Sequence, residues 1–505
     1  MKSTVVRQCG LMEHFSTSRH NLGFYRGIAN SCQYVLSREA LRGRPIREVI
    51  EQAVARLVLR LGGLRVGITG EDTTKACFVS VPSMDLHDFV EWRTVATTNP
   101  AQHDEQVLQA IKSRLEQLWP DIANRPPWKL LVVQDEAGGT PEDVVLDLVF
   151  ANHHALADGK STTVFHRELL RELNTTSDGP PPELKDHILT FDAQAPLILA
   201  PSQEDLVDLK ISWSYFLKTL WDAFGPLWLK STPPPAPWTG KPVAIEPNTL
   251  HLRLVTINPP TVRRLIVACR AHGTTLSGIL HILTLAAMVK RVPAHVASSF
   301  AGETAISLLP WARRPPGVNM DLTGVLTDLN TGTNSVWDAV TVSKLRAGLG
   351  RRGDENDIAE DSLLWPLAAA WRNEIKAKVA TLPNDDVVGM MQYVGDFNKW
   401  WLEKIGKARS GTWALSNIGT IKGSIGEDRG GWHITRALFT QPVHVAGPAF
   451  NVNVVGVEDG PVSAVFSWQD GAIETTTMDE VMADMHEWLD TFEKDGKFGI
   501  FTGAR

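Results

Sequence analysis

Apolar residues recur along this chain with two different periods, and the points where one gives way to the other predict its architecture. Residues 144–152 read Val-Val-Leu-Asp-Leu-Val-Phe-Ala-Asn, after the breakers Gly138, Gly139 and Pro141. This β-branched and aromatic run predicts a buried strand. Past residue 160 the period lengthens: Phe165, Leu169 and Leu173 recur every four residues beside Val164 and Leu170, with Arg167, Glu168, Arg171 and Glu172 filling the outer side. That is an amphipathic helix ending near Asn174. Between the two lies His153-His154-Ala155-Leu156-Ala157-Asp158-Gly159, so the heptad is a strand-to-helix turn. If the extended chain continues into it, the period of two puts His154 on the face of Leu146, Leu148, Phe150 and Asn152, and His153 on the other.

The second half alternates in the same way. Helices are predicted over 261–272 and 276–291 and a short strand over 305–309. Two alternating runs, 449–457 and 462–468, flank Glu458-Asp459-Gly460-Pro461 as a hairpin, and a last helix over 478–492 turns Val481, Met485, Trp488, Leu489 and Phe492 to one side. This order predicts an α/β fold of two sandwich-like halves facing each other. With 505 residues, 43% of them hydrophobic, the chain is too long for one ordinary domain. The division falls in a crossover over 206–240, leaving halves 1–205 and 241–505. In it Trp213, Phe216, Leu217, Leu220, Trp221, Phe224, Leu227 and Trp228 sit at helical spacings, followed by the semi-rigid Pro233-Pro234-Pro235. The aromatic segment is either a crossover helix packed on the core or a surface helix that rests on a membrane.

A net charge of −7 and the lack of any basic run leave no electrostatic footprint for nucleic acid. Cys9, Cys32, Cys77 and Cys269 are far apart with no CxxC pair, which favours reduced thiols. The first residues lack an apolar core of signal-peptide length, and no apolar run reaches membrane-spanning length. The expectation is a cytoplasmic monomer, with peripheral contact to endoplasmic reticulum or lipid droplets as the alternative the aromatic helix suggests.

The heptad asks for little else to do chemistry. A neutral imidazole can take a proton from an alcohol or amine near neutral pH. Asp158 is placed to cap the helix, and Gly159 provides either an unusual backbone angle or a close approach. Bound metal is not expected, since no third ligand lies near His154 and Asp158. Gly348-Leu349-Gly350-Arg351-Arg352-Gly353 matches GxGxxG, but it follows polar residues and leads into Asp354-Glu355-Asn356-Asp357. It reads as a charged loop. Neither GxxxxGK, HExxH nor GxSxG occurs.

The heptad resembles the HHxxxDG signature of the CoA-dependent acyltransferase superfamily, which includes chloramphenicol acetyltransferase, the plant BAHD enzymes and peptide-synthetase condensation domains. Met12-Glu13-His14-Phe15-Ser16-Thr17-Ser18-Arg19-His20-Asn21-Leu22-Gly23-Phe24-Tyr25 and Trp413-Ala414-Leu415-Ser416-Asn417-Ile418-Gly419 are similar to segments of its fungal alcohol acetyltransferase branch. Asp321-Leu322-Thr323-Gly324 resembles the short turn before a strand. The resemblance implies two chloramphenicol-acetyltransferase-like α/β halves with an active-site tunnel between them. It implies His154 as catalytic base with Asp158 as the second catalytic residue, His153, Gly159, Arg313 and Arg314 as structural support, and Asp158 paired with Arg313 or Arg314 after the strand at 305–309. Ser416 or Asn417 is then the oxyanion candidate. The co-substrate implied is acetyl-CoA, with no permanently bound cofactor, and the acceptor is a hydroxyl of a small, largely apolar or specialised metabolite. Two other readings are a condensation-like enzyme taking its acyl group from a carrier-protein thioester, and an inactive family member that only binds ligand.

Overall fold

The computed structural model describes residues 4–136, 142–175, 179–192, 197–225, 236–314, 320–349, 360–424, 431–442 and 444–501. Gly138, Gly139 and Pro141, the triple proline with Leu227 and Trp228, and Gly350 to Asp357 lie outside them. The predicted strand is Asp143–Asn152 and the helix after the heptad is Gly159–Asn174. Phe150 and Phe165 stack at 3.8 Å, joining the two on the buried side.

Two sheets carry the molecule. The first runs in the order His433–Thr440, Ile28–Ser37, Asp143–Asn152, Trp128–Asp135, Val90–Val95, antiparallel except for its last, parallel pair. The second has six strands, in the order Leu250–Ile257, Val462–Gln469, Phe450–Val457, Trp413–Ile421, Phe300–Ser307, Asn330–Trp337. Each backs onto its own apolar core. The expected helices are Pro259–Ala271, Leu276–Arg291 and Thr475–Asp495, and the hairpin is Phe450–Val457 with Val462–Gln469.

Membership of the first sheet crosses the boundary drawn at residues 206–240. Strand His433–Thr440 leaves the C-terminal half and pairs along Ile28–Ser37, burying Ile434, Ala437, Leu438 and Phe439 in the first core. Its Arg436 forms ion pairs with Asp104 and, at 3.3 Å, with Asp147. His103 bridges Asp147 at 2.6 Å and Asp135 at 3.3 Å. The hydrogen bond to Asp147 is the main cause of a His103 pKa above the ordinary value. Burial would raise the Asp147 carboxyl, but His103 and Arg436 together hold it below the usual range.

A raised histidine contributes stability that is complete below its unfolded pKa near 6.5 and is lost as pH rises through the folded value. His103→Gln is therefore expected to cost about 1.5–3 kcal/mol at pH 6 and distinctly less at pH 9. Urea melts of both proteins at the two pH values check this; an equal loss at both would contradict it.

In the crossover, helix Trp213–Phe224 leaves Trp213 78% and Leu217 60% exposed, with Trp221 and Leu220 also at the surface. It is a surface helix, anchored by Phe216 against Tyr393 with ring centroids 4.9 Å apart. No single helix among the described residues is long and apolar enough to cross a membrane.

Candidate active site

The strand ends at Asn152, and the heptad folds into a tight turn rather than continuing extended. The Asn152 amide group donates to the carbonyls of His153 and Ala157 at 2.9 and 3.2 Å, so the loop is strapped from within. His153 turns into the protein. Its Nδ1 accepts from the Ala155 amide at 3.0 Å, and its ring meets His20 at 4.7 Å. Burial, reinforced by His20, His154 and Arg19, lowers its pKa well below the ordinary value, so it stays neutral. His20, Glu71 and His153 place one potential ligand atom each within 4.8 Å of one another. However, His20 Nε2 accepts from the Trp119 amide at 3.0 Å, leaving its Nδ1 proton to meet Glu71 at 2.8 Å. His153, accepting at Nδ1, likewise carries its proton on Nε2. Of the two rings only His20 bonds Glu71, and His153 Nε2 is buried without a partner among the described residues; with a proton on each of these nitrogens, neither ring offers a lone pair there to a metal.

His154 faces a cavity of about 850 Å³ lined from both halves of the chain, among others by Tyr25, Ser416, Glu303 and Trp401. Its Nδ1 lies 3.4 Å from Asp328 Oδ2, and the Asp328 side chain is fully buried. Asn330 donates to the other Asp328 oxygen at 2.6 Å, and Ser16 Oγ approaches Oδ2 at 3.4 Å. A proton on Nδ1 facing this carboxylate leaves the Nε2 lone pair free to act as a base.

Asp158 corrects the expectation built on Arg313 and Arg314. Its Oδ1 accepts from the Ser161 amide at 2.7 Å, capping the helix, and its Oδ2 accepts from the Leu329 amide at 2.9 Å. Both arginines are exposed. The Arg313 amide donates to the Leu206 carbonyl, and the charge of Arg314 acts on Asp321. The physical reason is that backbone amides already satisfy the carboxylate, so it needs no guanidinium. The Asp158 amide also donates to the Thr327 carbonyl at 2.9 Å, and the Thr327 amide to Ser161 Oγ at 3.1 Å. Residues 327 and 329 are thus both tied to the start of the helix, and Asp328 between them meets His154. Burial and the Asp328 charge push the Asp158 carboxyl up to about 6, against the two amide bonds.

Asp158→Ala removes the cap, worth about 1 kcal/mol, and strands the buried Leu329 amide at a cost of about 1–3 kcal/mol. The expected result is a loss of roughly 2–4 kcal/mol in denaturant melts, together with reduced turnover because Asp328 loses its anchor. A variant of unchanged stability would refute this role.

Gly159 has ordinary backbone angles but no room, since a Cβ would lie 2.6 Å from Phe439 and 2.9 Å from Ile418. Close approach, not conformation, is what requires glycine. Ser416 lines the cavity. Asn417 does not: it is exposed, donates to Ser277 Oγ at 3.0 Å and accepts from the Gly419 amide at 2.9 Å. Only Ser416 of the two oxyanion candidates shares the chamber with His154. Glu303 in the cavity wall is a further titratable group, its carboxyl raised by burial against a hydrogen bond from Ser410.

A histidine at the end of a strand-to-helix turn faces a chamber lined from both α/β halves, and the fold is the two-lobed kind seen in chloramphenicol acetyltransferase and condensation domains. Solved structures of that fold superpose over nearly the whole chain. The TRI3 trichothecene 15-O-acetyltransferase of Fusarium sporotrichioides matches with TM-score 0.67 at 12% identity, covering 94% of this chain and 93% of its own. The first condensation domain of the CDA synthetase matches with TM-score 0.59 at 12% identity, covering 99% of each chain. The chain belongs to the alcohol acetyltransferase family, whose model matches residues 80–307 and 354–492. It is similar to the probable alcohol acetyltransferase FCK4 of Fusarium pseudograminearum, 27% identical over 98% of this chain and 97% of the relative. It is also similar to the probable alcohol acetyltransferase crmB of Aspergillus fumigatus, 22% identical over 96% and 99%. The protein is an acyltransferase of this type.

Proposed function

We propose that the chain transfers an acetyl group from acetyl-CoA directly to a hydroxyl of a small, largely apolar or specialised metabolite, with His154 as general base and no permanently bound cofactor. The observation that carries this is His154 in the chamber wall with Nδ1 against buried Asp328. His154 Nε2 removes the hydroxyl proton as the oxygen attacks the thioester carbonyl. The tetrahedral intermediate then collapses, the C–S bond breaks, and the departing thiolate takes the proton back from the imidazole. Ser416 is the candidate donor to the oxyanion, an interaction worth about 2.7–4 kcal/mol where one such donor is lost.

Direct transfer makes a kinetic prediction. Initial rates with acetyl-CoA and a series of alcohols are expected to give intersecting, sequential patterns, with one thiol released per ester formed. Parallel, ping-pong lines or an isolable acetyl-enzyme would overturn it. Full activity with a carrier-protein thioester and none with acetyl-CoA would favour the condensation-like reading. Thiol release with neither donor would leave a ligand-binding protein. We place the protein in the cytoplasm as a monomer, with the exposed Trp213, Leu217 and Trp221 supporting peripheral contact with endoplasmic reticulum or lipid droplets.

A further inference from the structure

Three buried hydrogen-bond donors without partners meet in one aromatic wall of the chamber, and the proton transfer uses none of them. Arg19 Nε, Trp401 Nε1 and His444 Nε2 are buried and unbonded, and all three residues line the cavity. They are contiguous. Trp401 and His444 lie 4.4 Å apart between ring centroids, and Trp401 meets Phe15 at 4.9 Å. The Arg19 guanidinium sits 4.4 Å from the Phe15 ring and 4.7 Å from that of Tyr25. Tyr25 in turn touches His444 at 6.0 Å and His154 at 5.6 Å, so the patch adjoins the reacting end of the chamber.

The chemistry of the three is fixed by their surroundings. His444 Nδ1 accepts from the Ala446 amide at 3.1 Å, which leaves the ring proton on Nε2 as a donor. Burial, with the charges of Arg19 and Arg409, holds this imidazole neutral. Trp401 can only donate. Arg19 donates to Ser16 Oγ at 2.9 Å and forms no ion pair among the described residues. A buried donor left unbonded costs about 1–3 kcal/mol. Three such donors from separate segments lie buried within the wall of the chamber, where an oxygen acceptor pressed against that wall would satisfy them and a hydrocarbon would not.

We propose that Arg19, Trp401 and His444 form a recognition site for a second oxygen function, a carbonyl or carboxylate, on the molecule whose hydroxyl meets His154. The preferred acceptor is then an oxygenated alcohol rather than a plain aliphatic one. This rests on the acyltransferase reading but is tested without turnover. Binding of 1-decanol, methyl 10-hydroxydecanoate and 10-hydroxydecanoate to the full chain is measured by calorimetry, with thiol release from acetyl-CoA followed separately as the check on catalysis.

The expected result is at least one oxygenated probe binding about tenfold tighter than decanol, the ester if a carbonyl is taken and the acid if a carboxylate is. Trp401→Phe, which keeps the ring and removes the N–H, and Arg19→Lys, which removes the Nε donor, should each bring that ratio to within about twofold. Thermal melts confirm that the variants are folded. A wild-type ratio within about twofold, or a ratio that both variants leave intact, overturns the proposal whether or not thiol is released.

Discussion

His154→Asn is expected to lower kcat for ester formation from acetyl-CoA by roughly 10²- to 10⁴-fold, the contribution of a positioned general base, while KM for acetyl-CoA changes little. Asparagine fills similar space and can still donate to Asp328, but it offers no nitrogen lone pair to the chamber. Because His154 stands at the end of a turn strapped by Asn152 and capped by Asp158, the substitution should leave the fold intact. A thermal melt within a few degrees of the parent separates lost chemistry from lost structure. Chromatographic assay of the ester at saturating alcohol measures the effect, and turnover within a few-fold of the parent would sink the assignment of His154 as base.

The second large effect is expected at Asp328. Asp328→Asn removes the negative charge facing His154 Nδ1 and lets an amide N–H compete for the place of the carboxylate, so the imidazole loses both its fixed tautomer and its stabilisation when protonated. A fall in kcat on the order of 10²- to 10⁴-fold is expected. An independent readout distinguishes this from general damage. Burial and the Asp328 charge together hold the Asp158 carboxyl at about 6, so the neutral variant should move Asp158 back toward the ordinary carboxylate range. Infrared titration of the carboxyl bands follows that shift. Loss of activity with the Asp158 titration unmoved would mean that Asp328 acts only through packing.

The elements around the heptad were legible because they are local: the strand, its helix, the helix over 276–291 and the final hairpin each carry their own period. His154 was legible for the same reason. Asp328 was not, because it lies 174 positions away in a segment with no pattern of its own. Its direction is set by residues 327 and 329 docking on the helix N-terminus. The pairing expected between Asp158 and Arg313 or Arg314 failed for a related cause. The partners it does have, the amides of Ser161 and Leu329, belong to the backbone and have no letter in a sequence. Ser416 and Asn417 stand next to each other, and only the facing of strand Trp413–Ile421 tells which one enters the chamber. His444, a lone histidine in an irregular segment, carried no signal beyond its residue type.

The strand His433–Thr440 also bears on how the protein is made. Gln33 must wait for Thr435, 402 positions later, before the edge of its sheet is covered, and contacts this distant close late because the chain entropy they remove is recovered only at the end. A ribosome that has finished the first half has therefore released an open-edged sheet, exposed to pairing with other chains. The imidazole becomes enclosed only after nearly the whole message has been read. A chain that stops before residue 433 thus carries the histidine motif beside an uncovered sheet edge and lacks the C-terminal part of the chamber lining.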